Sequence, residues 1–308
     1  MKQRYAIVHL EFGAQQRDLS LALLAKFRQA LTAAGNEVSL LMVDNARLEG
    51  EERYSGHGFE NVRVIAGDNS TREFTGWDRG VRDVRARGLP PDIWIFTNDT
   101  IATHHGWSDK RAERFCHEAT WLSDHTGPWM LGEVTDCQTP GKTPIGPMLQ
   151  WVATYCFAMN EMLLQRLVTL CPGGALLDSF VYDSWEPGHK LFKEETEHFF
   201  KGFLAWLVAE DPKAAAERAR KFKWAFTWHN AKPLDAETFD SVRGKVRCVI
   251  SETFLSVRAT QAGAELRSPY DATLGRARLR RTAHYFLDKF SEKMILRRLR
   301  KAKAAQSG

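Results

Sequence analysis

Paired acidic and amide side chains follow three short apolar stretches of the chain, each at the point where the stretch ends. They are Asp44-Asn45, Asp68-Asn69 and Asn98-Asp99. If the apolar stretches are parallel strands of one sheet, these pairs meet at its carboxyl edge, where open α/β sheets bind their ligands. A carboxylate at that edge can hold a divalent cation, and the cation can neutralise a diphosphate leaving group. The pattern therefore predicts a nucleotide site, with Asp99 as a metal ligand.

Strands and helices alternate through the first part of the chain, and they must bring these polar pairs together. Strands are predicted over residues 4–10, 38–43, 62–65 and 93–96, and helices over 19–34 and 76–87. The first helix has apolar residues at helical spacing and ends at Gly35-Asn36, a common stop signal. This alternation predicts an α/β fold with a mostly parallel, doubly wound sheet.

The pattern is looser in the rest of the chain. Helices are predicted over residues 109–124, 161–170, 194–209 and 212–226, a weakly helical segment over 253–262, and a strand over 129–134. Residues 135–147 are rich in proline and glycine, which predicts a mobile loop. We predict one domain over residues 1–210 and a mainly helical C-terminal region over 211–308.

The last segment, residues 276–303, has the pattern of a basic amphipathic helix. Apolar residues recur every three or four positions from Leu279 to Met294, and lysines and arginines surround that stripe. Such a helix suits an anionic membrane surface, where each nearby cation contributes about 1 kcal/mol. It would equally suit a helix that packs on the domain and leaves a solvated basic rim. Both interpretations stay open.

Composition narrows the class of protein. The 308 residues are 44% hydrophobic and 26% charged, as in soluble globular proteins. We expect no membrane span, because no run of about 18 apolar residues occurs, and the apolar run at residues 6–10 is too short for a signal peptide. Five scattered cysteines without a Cys-x-x-Cys pair indicate a reducing cytosol and argue against structural zinc. A cytoplasmic protein is therefore predicted.

In the order and spacing of its motifs, the segment from residue 4 to 105 resembles the GT-A glycosyltransferases, especially glycosyltransferase family 2 and bacterial rhamnosyltransferase-like members. The matching stretches are Met42-Val43-Asp44-Asn45, Asn69 to Gly80, and Ile95 to Thr100. The resemblance implies a Rossmann-related, GT-A-like fold that binds a nucleotide-diphosphate sugar. It also implies that Asp44 binds the base or ribose, and that Asp99 holds a divalent cation, Mn²⁺ or Mg²⁺.

Several neighbours of these motifs are further candidates for nucleotide contacts. Asn69 and Asn98 belong to the matching stretches, and Arg72 or Arg79 could meet the donor diphosphate, because a guanidinium pairs well with phosphate oxygens. His9 and Glu11 close the first predicted strand, where a nucleotide base could stack or form a hydrogen bond. The nucleotide site is thus predicted to draw on four separate segments.

The resemblance continues more loosely towards the acceptor side. Residues 150–160 look like the acceptor-side strand and following helix of polysaccharide-building members, and the acidic stretch Glu194-Glu195 stands where the family commonly places its general base. An inverting transfer needs such a carboxylate to deprotonate the acceptor hydroxyl. The resemblance implies Glu195 or Glu194 as that base, with Asp183 as a further candidate.

Three other residues are candidates for binding the acceptor. Glu133 and Asp136 flank the predicted loop and could bind acceptor hydroxyls. Trp151 could stack against a sugar ring, although tryptophans are also common in protein cores.

Together these features predict a glycosyltransferase that moves a sugar from a nucleotide-diphosphate donor to a cell-surface glycan, such as lipopolysaccharide, O-antigen or capsule. The acceptor would be lipid-linked, and the enzyme would be cytoplasmic or peripheral on the inner membrane face.

Three alternatives stay open. A nucleotidyltransferase shares the parallel-sheet nucleotide site, and a non-catalytic glycosyltransferase-like subunit would explain why Asp99 has no second acid beside it. A nucleic-acid-binding protein could use the basic tail, but it leaves the polar strand ends unexplained. We therefore predict no nucleic-acid partner.

Overall fold

The computed structural model describes residues 2–13, 17–46, 62–88, 90–103, 105, 107–186, 191–199, 233–271 and 294, with the backbone alone for residues 136–140. The helix predicted over residues 212–226 lies outside the described residues. Apart from Met294, so does the basic segment 276–303.

The described strands form one seven-stranded sheet. The strands are β1 (Arg4–Glu11), β2 (Glu37–Asp44), β3 (Arg63–Ala66), β4 (Ile93–Asn98), β5 (Trp129–Thr143), β6 (Gly146–Asn160) and β7 (Glu265–Arg267). Their order is β3-β2-β1-β4-β6-β5-β7. Only β6 runs antiparallel to its neighbours within this sheet. The predicted α/β class, with a mostly parallel sheet and flanking helices, is confirmed.

Helices cover both faces of the sheet. They are α1 (Arg17–Ala33), α2 (Glu73–Arg85), α3 (Thr100–Thr103), α4 (Asp109–Leu122), α5 (Glu161–Leu167), α6 (Gly174–Asp178) and α7 (Phe239–Gln261). Successive strand residues point to opposite faces, so β1 buries Tyr5 and Ile7 in the same core as α1 and α4. Its alternate residues, Ala6 and Val8, lie in the core that includes α2 and α7. Burial on both faces explains why β1 and β4 are almost continuously apolar.

The predicted mobile loop over residues 135–147 is wrong, because these residues belong to a long β-hairpin. Strands β5 and β6 stay paired to the turn, where Thr143 faces Gly146 and donates a hydrogen bond to its carbonyl at 2.7 Å. The register shifts between Asp136 and Gly141, which keeps Pro140 out of a position that needs an N–H donor. Proline and glycine in this stretch therefore mark an irregular strand pair.

Helix α7 is a 23-residue helix of which the sequence indicated only the last part, weakly. Its buried residues share a core with α2, β1 and β4, and the strand that follows it, β7, pairs with β5. Helix α7 and strand β7 thus belong to the same core and sheet as α2 and strands β1 to β6. The boundary proposed at residues 210 and 211 stays a prediction, because it lies outside the described residues. Among the described helices, none is both long and apolar enough to cross a membrane.

Helix α2 packs against β1 so closely that Gly80 has no room for a side chain. A Cβ atom there would lie 2.4 Å from Val8 Cγ1. We expect Gly80→Ala to lower the free energy of unfolding by roughly 1–2 kcal/mol, because overpacking outweighs the gain in helix propensity of about 0.8 kcal/mol. Urea unfolding at constant m-value measures the change. The matched control is Gly244→Ala in α7, whose Cβ would meet only Arg72 Nε at 4.0 Å. An equal response of both variants would contradict this account.

Candidate active site at the carboxyl edge of the sheet

The crevice at the carboxyl edge opens between β1 and β4. From β1 the chain proceeds through β2 to β3, and it then returns to place β4 on the other side of β1. Helix α1 follows β1 on one face and α2 follows β3 on the opposite face. Such a switch point is where open α/β sheets bind ligands. Glu11 and Asn98 are the last residues of the two strands, and Asp99 comes directly after.

Asp99 is fixed at this switch point by its neighbours. Its backbone N–H donates to Leu10 O at 3.0 Å, and its carbonyl accepts a hydrogen bond from the Ser20 hydroxyl at 2.9 Å. Its carboxylate atom Oδ2 accepts from the Phe12 N–H at 2.8 Å. The other oxygen, Oδ1, is buried and has no hydrogen-bond partner among the described residues. A buried polar atom without a partner is costly, so it is a candidate for binding a ligand.

The surroundings keep Asp99 from ionising easily. Burial raises the pKa of its carboxyl from 3.8 to about 6, against the hydrogen bond from Phe12. The nearby carboxylates of Glu11 and Glu73 raise this pKa further. Glu11 is itself neutralised, since Arg17 Nε donates to its Oε1 at 2.7 Å. A cation or a phosphate-bound metal would relieve the remaining negative charge.

Helix α7 crosses this edge with one row of residues, which we call the edge-facing stripe: Gly244, Cys248, Glu252 and Ser256, each four positions apart. The Cys248 thiol donates to Glu73 Oε2 at 2.9 Å. Glu252 Oε1 accepts from the Thr154 N–H at 3.2 Å, and the Ser256 hydroxyl accepts from the Val152 N–H at 3.0 Å. The stripe thereby pairs with β6 beyond the end of β4 and with the start of α2.

Glu252 is the member of the stripe that can take part in proton transfer. Burial raises the pKa of its carboxyl from 4.5 to about 7, and Glu73 raises it further, while Lys245 and the hydrogen bond from Thr154 oppose the rise. A carboxyl with a pKa near 7 is suited to accept a proton at neutral pH. Sequence patterns did not indicate Glu252 or Glu73 as site residues, because nothing local shows which side of α7 meets the sheet.

The connection between β3 and α2 is strained. Asn69 and Arg72 have φ values of 53° and 51°, a region that residues other than glycine rarely adopt. Asn45 holds the turn by donating from Nδ2 to Arg72 O at 3.2 Å. Arg72 Nε is buried without a hydrogen-bond partner among the described residues. The strained turn therefore presents a guanidinium beside Glu73 at the start of α2.

Three of the residues predicted to contact the nucleotide form hydrogen bonds within the protein itself. His9 is 1% exposed and lies 2.8 Å from Thr97 Oγ1, and burial lowers the pKa of its imidazole to about 3, so it is neutral. Asp44 Oδ1 accepts from the Ala46 N–H at 2.9 Å, and Asn98 Oδ1 accepts from the Thr100 N–H at 3.2 Å. Asp44 and Asn98 thus stabilise the turns that leave β2 and β4. Asn69 and Arg79, in contrast, are exposed.

The predicted acceptor residue Glu133 belongs to a buried network with Arg111 and Tyr155. Arg111 Nη2 donates to Glu133 Oε2 at 2.7 Å and to the Tyr155 hydroxyl at 3.0 Å, and Tyr155 donates to the same carboxylate oxygen. His105 stacks on the Tyr155 ring with centroids 3.5 Å apart. This network holds the segment after α3 against the hairpin, so Glu133 stabilises the wall of the crevice.

The remaining predicted residues lie apart from this network. Trp151 is half-buried on β6, and the side chain of Asp136 is outside the described part of the chain. The predicted bases Glu194, Glu195 and Asp183 are exposed, and no contact within the described residues links them to the carboxyl-edge cluster.

The described residues suit a cation only in part. Asp99 Oδ1 is the hard oxygen ligand that Mg²⁺ or Mn²⁺ prefers. Within the described part of the chain, however, no three histidine, cysteine or acidic side chains converge on one point. Mg²⁺ is commonly held by one or two carboxylates together with substrate phosphates and water. The site therefore fits a cation that arrives with a phosphate ligand better than a resident ion.

Comparison with known proteins shows similarity in structure alone. No protein-family model and no curated protein matches the chain. The structure is similar to 4-diphosphocytidyl-2C-methyl-D-erythritol synthase, with 12% identity and a TM-score of 0.35 over 55% of this chain and 80% of that one. It is also similar to a mannosyltransferase from Pyrobaculum calidifontis in complex with GDP-Man and Mn²⁺, with 13% identity and a TM-score of 0.33 over 96% and 84% of the two chains. Neither similarity is close enough to transfer a substrate or a reaction.

The pKa of Asp99 leads to a test of the site in the free protein. The carboxyl pKa is about 6 in the folded protein against an ordinary value of 3.8, so folding above pH 6 buries a negative charge. This difference costs roughly 3 kcal/mol above pH 6, and the cost disappears as the pH falls through 6 towards 4. We expect Asp99→Asn to raise the unfolding free energy at pH 8 by about that amount and to have little effect near pH 4.

Urea unfolding of both proteins from pH 4 to pH 8 measures this dependence. Asp124→Asn, at an exposed position after α4, is the matched control for the loss of one carboxylate. If Asp99→Asn changes the unfolding free energy by the same amount at pH 4 and pH 8, the buried Asp99 carboxylate does not lower the stability of the native protein.

Proposed function

We propose that this protein is a glycosyltransferase that takes a sugar from a nucleotide-diphosphate donor. The observation that supports this most directly is Asp99, a buried carboxylate at the switch point of a mostly parallel sheet. Its Oδ1 atom has no hydrogen-bond partner among the described residues. A departing diphosphate requires positive charge close to its oxygens. Asp99 suits that need if it binds a divalent cation together with the donor.

The residues around Asp99 would orient the donor. Mn²⁺ or Mg²⁺ on Asp99 Oδ1 would neutralise the charge of the leaving diphosphate. Phe12 and Ser20 keep the carboxylate in place through the hydrogen bonds at 2.8 and 2.9 Å. Arg72, at the strained start of α2, would add a guanidinium to the phosphate side. In the proposed arrangement, Asp44 and Asn98 stabilise the turns after β2 and β4 and do not contact the donor.

The acceptor hydroxyl needs a base, and Glu252 is our first candidate. The hydroxyl oxygen would form a bond to the anomeric carbon while the bond from that carbon to the diphosphate oxygen breaks. The hydroxyl proton would pass to the Glu252 carboxylate, and the nucleoside diphosphate would leave with the bonding electrons. Glu195, Glu194 and Asp183 stay proposed alternatives, supported by the sequence pattern. Their side chains are exposed, whereas Glu252 is held against β6 by the Thr154 N–H.

The acceptor is proposed to be a cell-surface glycan on a lipid carrier. The support is the basic pattern of residues 276–303, which suits an anionic membrane surface. Glu133, Asp136 and Trp151 lie on the β5–β6 hairpin and are proposed to form or support the acceptor side.

Nucleotide binding gives the first functional prediction. A ligand that binds only the folded state stabilises it by RT ln(1 + [L]/Kd), or about 2.7 kcal/mol at a hundredfold excess over Kd. We expect UDP, GDP or TDP to raise the thermal midpoint, with a larger shift when Mn²⁺ is present. Asp99→Asn should lose the Mn²⁺-dependent part of the shift, because the amide cannot supply a charged ligand.

The control for this experiment is Asp124→Asn, at an exposed position after α4, which should respond as the native protein does. No shift with any nucleoside diphosphate would remove the support for a nucleotide site. Turnover of a nucleoside triphosphate and a sugar phosphate, with release of pyrophosphate, would instead favour the nucleotidyltransferase alternative.

The choice of base gives a separate prediction. We expect Glu252→Gln to lower kcat for sugar transfer by about 100-fold or more, because general base catalysis typically contributes that much. The native pH profile of kcat/KM should rise through pH 7, since Glu252 must be ionised to accept the proton. That rise should be lost in Glu252→Gln and kept in the matched variant Glu195→Gln. The opposite result, with Glu195→Gln inactive and Glu252→Gln active, would assign the base to the exposed pair.

A further inference from the structure

Three arginines converge on one region beside the carboxyl-edge crevice. Arg243 and Arg247 lie one turn apart on α7, and both contact the same oxygen of Asp178. The distances are 3.4 Å from Arg243 Nη2 and 2.6 Å from Arg247 Nη1 to Asp178 Oδ1. The third is Arg72. We call Arg72, Arg243 and Arg247 the arginine cluster.

Contacts of α7 bring Arg72 next to the other two. Gly244 faces Arg72, since a Cβ atom built there would lie 4.0 Å from Arg72 Nε. Thr71, the residue before Arg72, lies 3.4 Å from Cys171 Sγ. Burial raises the pKa of the Cys171 thiol, and Arg247 is close enough to oppose that rise. The absence of a side chain at Gly244 leaves space between the guanidinium of Arg72 and the helix.

The positive charge of the arginine cluster exceeds the negative charge of its described partners, and some of its N–H donors have no acceptor among the described residues. Arg243 and Arg247 share one carboxylate, Asp178, whose side chain is 46% exposed, and Arg72 adds a third guanidinium beside them. The Nε atoms of all three arginines are buried without a hydrogen-bond partner among the described residues. Side chains of Arg243 and Arg247 are only 21% and 14% exposed, so water does not fully replace the missing partners. Leaving buried charged donors unpaired is costly.

The cluster is held by a rigid frame. Asp78 on α2 accepts hydrogen bonds from the N–H groups of Leu170 and Cys171 at 2.7 and 3.0 Å. Arg258 on α7 donates to the carbonyls of Leu167 and Thr169, each at 2.7 Å. These bonds fix the segment that leads into α6, and therefore Asp178, relative to both α2 and α7. Such preorganisation favours binding over a loose surface attraction.

We infer that the arginine cluster is a binding site for a phosphate or diphosphate group. Guanidinium groups bind phosphate oxygens through pairs of N–H donors, and the Nε–H atoms of this cluster are the donors still to be used. This inference rests on the proposed function for the source of the phosphate, which is either the nucleotide-diphosphate donor or a phosphorylated acceptor. The binding site itself does not require sugar transfer.

Titration calorimetry with inorganic pyrophosphate tests the site in the full chain. We expect the native protein to bind pyrophosphate, and the double variant Arg243→Gln/Arg247→Gln to bind about tenfold or more weakly. Arg87→Gln is the matched control, because it removes one positive charge from an ion pair at the far end of α2 and should leave the Kd within about twofold. Gly244→Leu should also weaken binding, because its side chain fills the space beside Arg72.

Two further variants and ligands separate the possible outcomes. Arg247→Lys keeps the positive charge next to Asp178 but loses the paired N–H donors of the guanidinium. Weaker binding by this variant would therefore show that those donors contact the phosphate. UDP or GDP tests the donor as the source, and decyl phosphate tests a phosphorylated acceptor. Weaker binding of either ligand by the double variant supports the inference and identifies the source. Equal affinities of the native protein and the double variant for pyrophosphate and both ligands would overturn it.

The pyrophosphate experiment can succeed even if the proposed sugar transfer does not occur. If pyrophosphate binds through these arginines but no nucleotide sugar is turned over, the proposed reaction fails and the phosphate site stands.

Discussion

The hydrogen bonds of Asp99 hold together the three segments that form the carboxyl-edge crevice. Its backbone N–H joins β4 to Leu10 on β1, its carbonyl accepts from Ser20 on α1, and its carboxylate accepts from Phe12. These three bonds fix the carboxylate but leave Oδ1 without a partner among the described residues. The sheet and the cores on its two faces supply the stability that allows one buried oxygen to remain unpaired. Asp99 is thus held in place by three segments before any ligand binds.

Helix α7 completes the crevice because one row of its residues is small or polar. Gly244, Cys248, Glu252 and Ser256 face Arg72, Glu73, Thr154 and Val152 in turn. Ser256 and Glu252 accept from N–H groups of β6 in the stretch that extends past the end of β4. These backbone groups would otherwise be buried without partners, which is expensive. The same contacts that satisfy β6 therefore bring a carboxyl with a pKa of about 7 to the edge of the sheet.

Local sequence patterns were sufficient for the first half of the fold. Apolar runs that end in polar pairs locate β2, β3 and β4, an apolar run locates β1, and helices are predicted at α1 and most of α2. Asp99 was found in the same way, because a strand end and its polar residue are adjacent in the sequence. The hairpin is not predicted, because proline and glycine are more typical of loops than of paired strands. In the structure a register shift accommodates them within paired strands.

The contribution of α7 could not be predicted, since it depends on contacts between distant residues. Glu252 meets Thr154, and Cys248 meets Glu73, across 98 and 175 positions of the chain. A buried polar row also weakens the amphipathic pattern by which helices are recognised. His9 shows that a polar residue at a strand end need not contact a ligand, although its position there suggests one. Its side chain instead points into the core of α1 and α4, where it bonds to Thr97.

The crevice has both carboxyl groups and arginines, and the proposed reaction needs both kinds of group. Asp99, Glu73 and Glu252 would repel a diphosphate, and the nearby Glu11 is paired with Arg17. The arginine cluster lies beside these carboxyls, because Arg72 and Glu73 are consecutive residues that meet neighbouring turns of α7. A donor would therefore meet guanidinium groups with its phosphates and bring a cation to the carboxylate of Asp99. In the proposed arrangement, the two halves neutralise the leaving group together, and Glu252 stays free to take the proton of the acceptor.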